Sequence, residues 1–127
     1  EIAGQIGPLL KDYTVIVNKS TVPVGVTDKI EKTIVAHTEV EFDVVSNPEF
    51  LREGSAIQDF LHPERIVVGT NSDKASKIIF DLYRDFVDSP EKILFMDAKS
   101  AEITKYAANS FLATKVSFIN EIANFAN

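Results

Sequence analysis

Residues 98–127 contain neither Gly nor Pro, and that run constrains the fold more than any other feature of the chain. With Asp97 placed to cap its start, it predicts one helix of about 30 residues, about 45 Å long at about 1.5 Å per residue. A compact domain of 127 residues has a radius of gyration of only about 14 Å. The helix must therefore extend past the body that precedes it. Its apolar residues include Ile103, Phe111, Leu112, Val116, Phe118, Ile119, Ile122 and Phe125, which occupy more than one face. Polar residues thin out after Lys115, so the second half needs covering from several directions.

The body before this helix alternates between two periodicities. Short apolar runs rich in β-branched residues fall at 14–18, 42–46, 65–70 and 92–96, and read as buried strands. Val26, Ile30 and Ile34 recur every four residues after the first run. Ala75, Ile78, Ile79, Leu82, Tyr83 and Phe86 trace an amphipathic helix before the last, with Ser72 or Asp73 as its cap. The spacer 47–63 holds at most a short helix. Strands alternating with helices predict an α/β fold with a mainly parallel sheet and flanking helices, in which one or two strands can be antiparallel. The expected organisation is a body over 1–97 and the long helix over 98–127.

Composition narrows the function. Apolar residues make up 45% and charged residues 25%, which excludes a disordered or fibrous chain. A net charge of −6 gives no field that attracts nucleic acid or an anionic membrane, and no basic run offsets it. The absence of Cys removes disulfides, thiolate metal sites and a Cys nucleophile, and fits a cytoplasmic address. His37 and His62 stand apart from any metal-like cluster, so no metal is expected. No apolar stretch reaches the about 20 residues of a membrane helix, and the start is not a signal peptide. The first residue is Glu rather than Met, which suggests a longer parent protein.

Three segments can carry chemistry. Lys19-Ser20-Thr21-Val22-Pro23-Val24-Gly25 leaves the first strand, where ligands of open α/β sheets bind and where Thr21 would offer a hydroxyl. It equally reads as an ordinary strand-to-helix turn. Ser46-Asn47-Pro48-Glu49-Phe50-Leu51-Arg52-Glu53-Gly54-Ser55 leaves the second strand. A helical turn there would put Glu49 and Glu53 on one side, able to hold a water or do acid–base work. Alternatively these are solvated acids with Arg52 as a surface partner. On the long helix, Lys105 and Asn109 are one turn apart, suited to stabilising an oxyanion or, with a neutral Lys, to acting as a base. A solvated Lys beside a locally bonded Asn is the plainer reading. Gly4-x-x-Gly7 has the wrong spacing for a dinucleotide fingerprint and no strand before it. Asn120, in the apolar half of the helix, is either an interhelical hydrogen-bond residue or exposed.

Taken together, STVPVG at 20–25, SNPEFLREGSAIQDF at 46–60, HPERIVVG at 62–69 and AEITKYAANSFLATKVSFINEIANF at 101–125 resemble the UDP-glucose/GDP-mannose dehydrogenase family. The resemblance covers nearly the whole chain, and the second and third segments look more like the UDP-glucose branch. It implies the second half of a Rossmann-like NAD-binding domain followed by the start of a central helix. The family oxidises the C6 hydroxyl of a nucleotide sugar to the carboxylate, and in this branch the substrate is a UDP-sugar, UDP-glucose going to UDP-glucuronate. It uses two NAD and a Cys-linked thiohemiacetal and thioester.

By this resemblance Thr21 lies beside the nicotinamide and the catalytic water, Glu49 positions or activates that water, and Glu53 lies near the nicotinamide ribose. Phe50 and Leu51 line the sugar-nucleotide site, and Lys105 with Asn109 stabilises the C6 oxyanion. The family's Gly-rich fingerprint and its nucleophilic Cys have no counterpart in this sequence, so the chain alone is expected to be inactive. The resemblance also implies a homodimer through the long helix. Other readings are a GDP-mannose or UDP-N-acetylhexosamine dehydrogenase, or a non-catalytic module that binds a partner through the helix. Thr21, Glu49, Lys105 and Asn109 together argue against the last.

Overall fold

The computed structural model describes residues 2–126; Glu1 and Asn127, the outer ends of the two expected segments, lie outside them. In chain order the elements are α1 (Ile2–Ile6), β1 (Thr14–Asn18), α2 (Val26–Val35), β2 (Phe42–Ser46), α3 (Ala56–Leu61), β3 (Ile66–Gly69), α4 (Asp73–Tyr83), β4 (Ile93–Met96) and α5 (Ala98–Ala126). The four strands form one sheet in the order β1-β2-β3-β4. β1 and β2 pair in parallel from Thr14↔Phe42 to Asn18↔Ser46, and β3 and β4 pair in parallel from Ile66↔Ile93 to Gly69↔Met96. Between them runs a seam: β2 and β3 are antiparallel and share only Ser46↔Gly69. The sheet is thus mainly parallel, with the reversal at the seam.

The core lies where α4 covers the sheet. Val45, Ile66, Val68 and Ile93 meet Ala75 and Ile79 of α4. Positions 75, 79 and 83 fall on one line along the helix because four residues make slightly more than one turn. Ile78 and Leu82, on the edge of the same stripe, remain 43% and 57% exposed. Ser72 caps α4, its hydroxyl oxygen accepting from the Ala75 N–H at 3.1 Å. The Ser72 hydroxyl itself donates to Asp43 at 2.7 Å.

Asp43 also accepts from the Tyr13 hydroxyl. Burial, and then this bond to a carboxylate, push the Tyr13 phenol up to about 12 from 10.0. A raised pKa means that the folded state holds the proton more tightly. The resulting stability is intact below about pH 10 and is lost as the pH climbs through about 12. Absorbance titration at 295 nm should show one of the three tyrosines ionising late. Tyr13→Phe should remove that late step.

The long helix begins as its sequence suggests. Asp97 caps it, accepting from the Ser100 hydroxyl at 2.5 Å and from the Ser100 N–H at 3.0 Å, and these bonds hold its carboxyl below the usual range. The first turns lie directly on the end of β3. A Cβ on Gly69 would sit 2.5 Å from the Ala101 Cβ and 2.9 Å from the Ala98 Cα, so only glycine permits this approach. Ala101 and Glu102 are buried, whereas every residue over 109–126 is exposed, Asn120 included. The helix therefore stands away from the body over its second half.

Candidate active site

β1 and β2 run in parallel, so their carboxyl ends release two loops side by side. The first carries Lys19, Ser20 and Thr21; the second carries 47–52. α5 closes the third side. Lys19, Ser20, Thr21, Glu49, Leu51 and Lys105 line one open cleft of about 360 Å³. Residues from three separated stretches thus converge at the strand ends, the position that open α/β sheets use for ligands.

Glu102 sets the third wall. This carboxylate is 2% exposed and reaches from α5 to the start of α2. It accepts from the Gly25 N–H at 2.6 Å, the Thr27 N–H at 2.8 Å and the Thr27 hydroxyl at 2.7 Å. No side chain of α2's own N-cap does this, because the cap residue is Gly25, with φ 90°. A carboxylate here satisfies free N–H groups and sits at the positive end of the helix dipole. Glu102 therefore ties the helix that carries Lys105 to the loop that carries Thr21.

Asn47 sets the second wall. It is 2% exposed and spans the seam of the sheet. Its backbone N–H donates to the Asn18 carbonyl at 2.9 Å, and its Nδ2 donates to the Val67 carbonyl at 2.8 Å. Its Oδ1 accepts from the Tyr83 hydroxyl at 2.7 Å and from Lys19 Nζ at 3.1 Å. Lys19 Nζ also lies 3.2 Å from the Tyr83 hydroxyl oxygen and 3.5 Å from Glu49 Oε1. Lys105 makes no ion pair among the described residues; its ammonium lies 4.9 Å from the centroid of the Phe50 ring. The cleft thus holds one carboxylate and two ammonium groups, one engaged with the carboxylate and one available to a developing negative charge.

The other expected site residues are placed as follows. Phe50 lies against Lys105 and, at 4.8 Å, against the Arg65 guanidinium. It lines a second cavity of about 350 Å³ that shares Lys19, Glu49 and Leu51 with the cleft. Asn109 lies one turn beyond Lys105 but outside the cleft lining, in a shallow groove with Leu112 and Val116. Glu53 is exposed and lines neither cavity.

The helical turn that would align Glu49 with Glu53 does not form. Residues 47–52 are irregular, and α3 begins only at Ala56. Arg52 closes this loop on Asp59 instead: its N–H donates at 2.8 Å and its guanidinium at 2.6 Å. That pairing holds the Asp59 carboxyl well below the usual carboxylate range. Sequence reasoning gave no role to Lys19, Asn47, Tyr83 or Glu102. The available signals were an Asn-Pro step after a buried strand and an acid one turn before Lys105.

Among the described residues, no group of three or more His, Cys, Asp or Glu could hold a metal ion. No helix there is long and apolar enough to cross a membrane.

Residues 1–87 match the NAD binding domain of the UDP-glucose/GDP-mannose dehydrogenase family, and residues 99–127 match its central domain. A UDP-glucose 6-dehydrogenase of Bacillus subtilis, TuaD, is 55% identical over 125 residues, covering 96% of this chain and 26% of the relative. A UDP-glucose 6-dehydrogenase of Pseudomonas aeruginosa is 45% identical over 127 residues, covering 96% of this chain and 28% of the relative. Among solved structures, a UDP-glucose dehydrogenase of Pyrobaculum islandicum superposes with a TM-score of 0.87 at 42% identity, over 94% of this chain and 28% of that one. A GDP-mannose dehydrogenase of Pseudomonas aeruginosa superposes with a TM-score of 0.85 at 30% identity, over 94% of this chain and 29% of that one. The chain spans 26–28% of the length of these two curated relatives.

Proposed function

Since the chain belongs to the UDP-glucose/GDP-mannose dehydrogenase family, we propose that it forms the NAD-facing part of the active site of a nucleotide-sugar dehydrogenase that oxidises UDP-glucose to UDP-glucuronate. Residues 1–97 serve as the second half of the NAD-binding domain and 98–127 as the start of a central helix. The observation that carries this reading is the convergence of Thr21, Glu49, Leu51 and Lys105 on one cleft at the carboxyl ends of β1 and β2. The 45–55% identity to UDP-glucose enzymes, against 30% to the GDP-mannose enzyme, supports UDP-glucose over the other sugar nucleotides. Such an enzyme would act in the cytoplasm.

The residues present suit the nicotinamide end of NAD. Thr21 is exposed at the mouth of the cleft, and Asn18 Nδ2, at the end of β1, is buried with no acceptor among the described residues. Thr21 would hold that end of the cofactor; Glu53, exposed and outside both cavities, is assigned a place near the ribose by the family resemblance alone. NAD supplies the hydride acceptor for both oxidations. Leu51 and Phe50 confine the sugar nucleotide. Lys105 places its ammonium where negative charge gathers on the C6 oxygen; Asn109, one turn on and outside the cleft lining, is assigned to that pair by the family resemblance alone. Glu49 takes a proton from the water that hydrolyses the thioester on a Cys outside this sequence.

The test uses the full-length protein carrying Glu49→Gln. Hydrolysis should slow while the earlier oxidation continues, so mass spectrometry should find the acyl-enzyme accumulating. No covalent adduct in that variant would remove the role given to Glu49.

The same reading gives α5 a partner in a second copy of the chain. Phe111, Leu112, Val116, Phe118, Ile119, Ile122 and Phe125 are 51–93% exposed on the free half of the helix. So much contiguous apolar surface is more than soluble monomers usually carry. A twofold dimer with the two helices crossing would cover it. Sedimentation equilibrium at tens of micromolar should give a dimer that Phe118→Glu with Ile122→Glu dissociates. A monomer, or a dimer indifferent to both changes, would place the interface elsewhere.

A further inference from the structure

We propose that Lys19 and Tyr83 are positioning residues that fix the orientation of the Glu49 carboxylate; this rests on the role assigned to Glu49 above. The Lys19 ammonium donates hydrogen bonds to Asn47 Oδ1 at 3.1 Å and to the Tyr83 hydroxyl oxygen at 3.2 Å, and forms an ion pair with Glu49 Oε1 at 3.5 Å. Two of these partners are fixed by the body of the protein. Asn47 is buried and pinned through Nδ2 to the Val67 carbonyl. Tyr83 ends α4, packs against the core and edge-on against Phe86 at 6.4 Å, and gives its own proton to Asn47. That donation leaves the hydroxyl oxygen free to accept from Lys19.

The ammonium is therefore held in place from behind. Of the three partners only Glu49 lines the cleft, and its side chain is 38% exposed. A fixed cation on Oε1 restricts the carboxylate to one orientation and leaves Oε2, which has no hydrogen bond among the described residues, to face a water. A long side chain on an irregular loop otherwise samples several rotamers. Holding it in one reduces the misplacement that costs reaction rate. A purely architectural network joining β1, β2 and α4 would have no need of the Glu49 contact.

The experiment is a double-mutant cycle in the full-length protein, read as kcat and KM with UDP-glucose and NAD. Lys19→Met and Tyr83→Phe should each lower kcat about tenfold or more while KM for UDP-glucose stays within about twofold. Combined with Glu49→Gln, neither should lower kcat further, because both act through the group already lost. Lys19→Arg, which keeps the charge, should recover part of the loss. Tyr83→Phe keeps the ring against Phe86, so its cycle with Glu49→Gln remains readable if Lys19→Met folds poorly. Additive losses, or parental kcat in Tyr83→Phe beside an impaired Glu49→Gln, would overturn the inference and leave the role of Glu49 standing. Parental turnover by Glu49→Gln itself would remove that role and this inference with it.

Discussion

Glu102→Ala is expected to destabilise the protein by about 3 kcal/mol, because three donors lose one buried acceptor together. Those donors are the Gly25 and Thr27 N–H groups and the Thr27 hydroxyl. Leaving a buried donor unpaired costs about 1–3 kcal/mol, and water entering the space left by the side chain recovers part of the total. Domains of this size are stable by about 5–15 kcal/mol, so the loss is a large fraction. In thermal melts it should appear as a drop on the order of 10 °C. Glu102→Gln keeps the shape and one acceptor, and should lose less. Equal stability of the Ala variant and the parent would mean that the carboxylate contributes nothing to holding α5 against α2.

The second large effect concerns rate. In the full-length protein, Lys105→Ala should lower kcat about a hundredfold while changing KM little. Its ammonium has no carboxylate partner among the described residues and rests only on the Phe50 ring. It therefore gains most when charge appears on the substrate, which happens in the transition state rather than on binding. One donor to a developing oxyanion is commonly worth about 3 kcal/mol. Steady-state rates of NADH formation decide the matter. A rise in KM at constant kcat would instead make Lys105 a ground-state binding residue.

The sequence made the sheet and the long helix legible because both leave a periodic trace. β1 and β2 fall where the apolar runs are, and α5 fills the Gly- and Pro-free run as far as the described residues extend. The seam left no such trace: a buried strand looks the same whichever way it runs, so the reversal between β2 and β3 is visible only in the pairing. The Glu49–Glu53 spacing misled because a four-residue interval means one face only within a helix. Here the bond from Arg52 to Asp59, seven residues on, fixed the loop in another form. The Lys19–Asn47–Tyr83 cluster was hidden for a related reason. Its members are 28, 36 and 64 residues apart in sequence, so no local pattern joins them. Glu102 reads as one more acid on a polar helical turn until its partners 75 and 77 residues away are seen.

The free half of α5 also makes the molecule a lever. The helix is clamped at Glu102 and exposed from 109 onward, and about 35 Å of rod separates Glu102 from Phe125. A tilt of about 5° at the clamp moves the far end by about 3 Å, more than half the rise of one helical turn. Run backwards, the same arithmetic means that whatever grips the tip of this rod sets the angle at its base with high resolution. Lys105, three residues from that pivot, would sense a partner's arrival as rotation far more than as displacement.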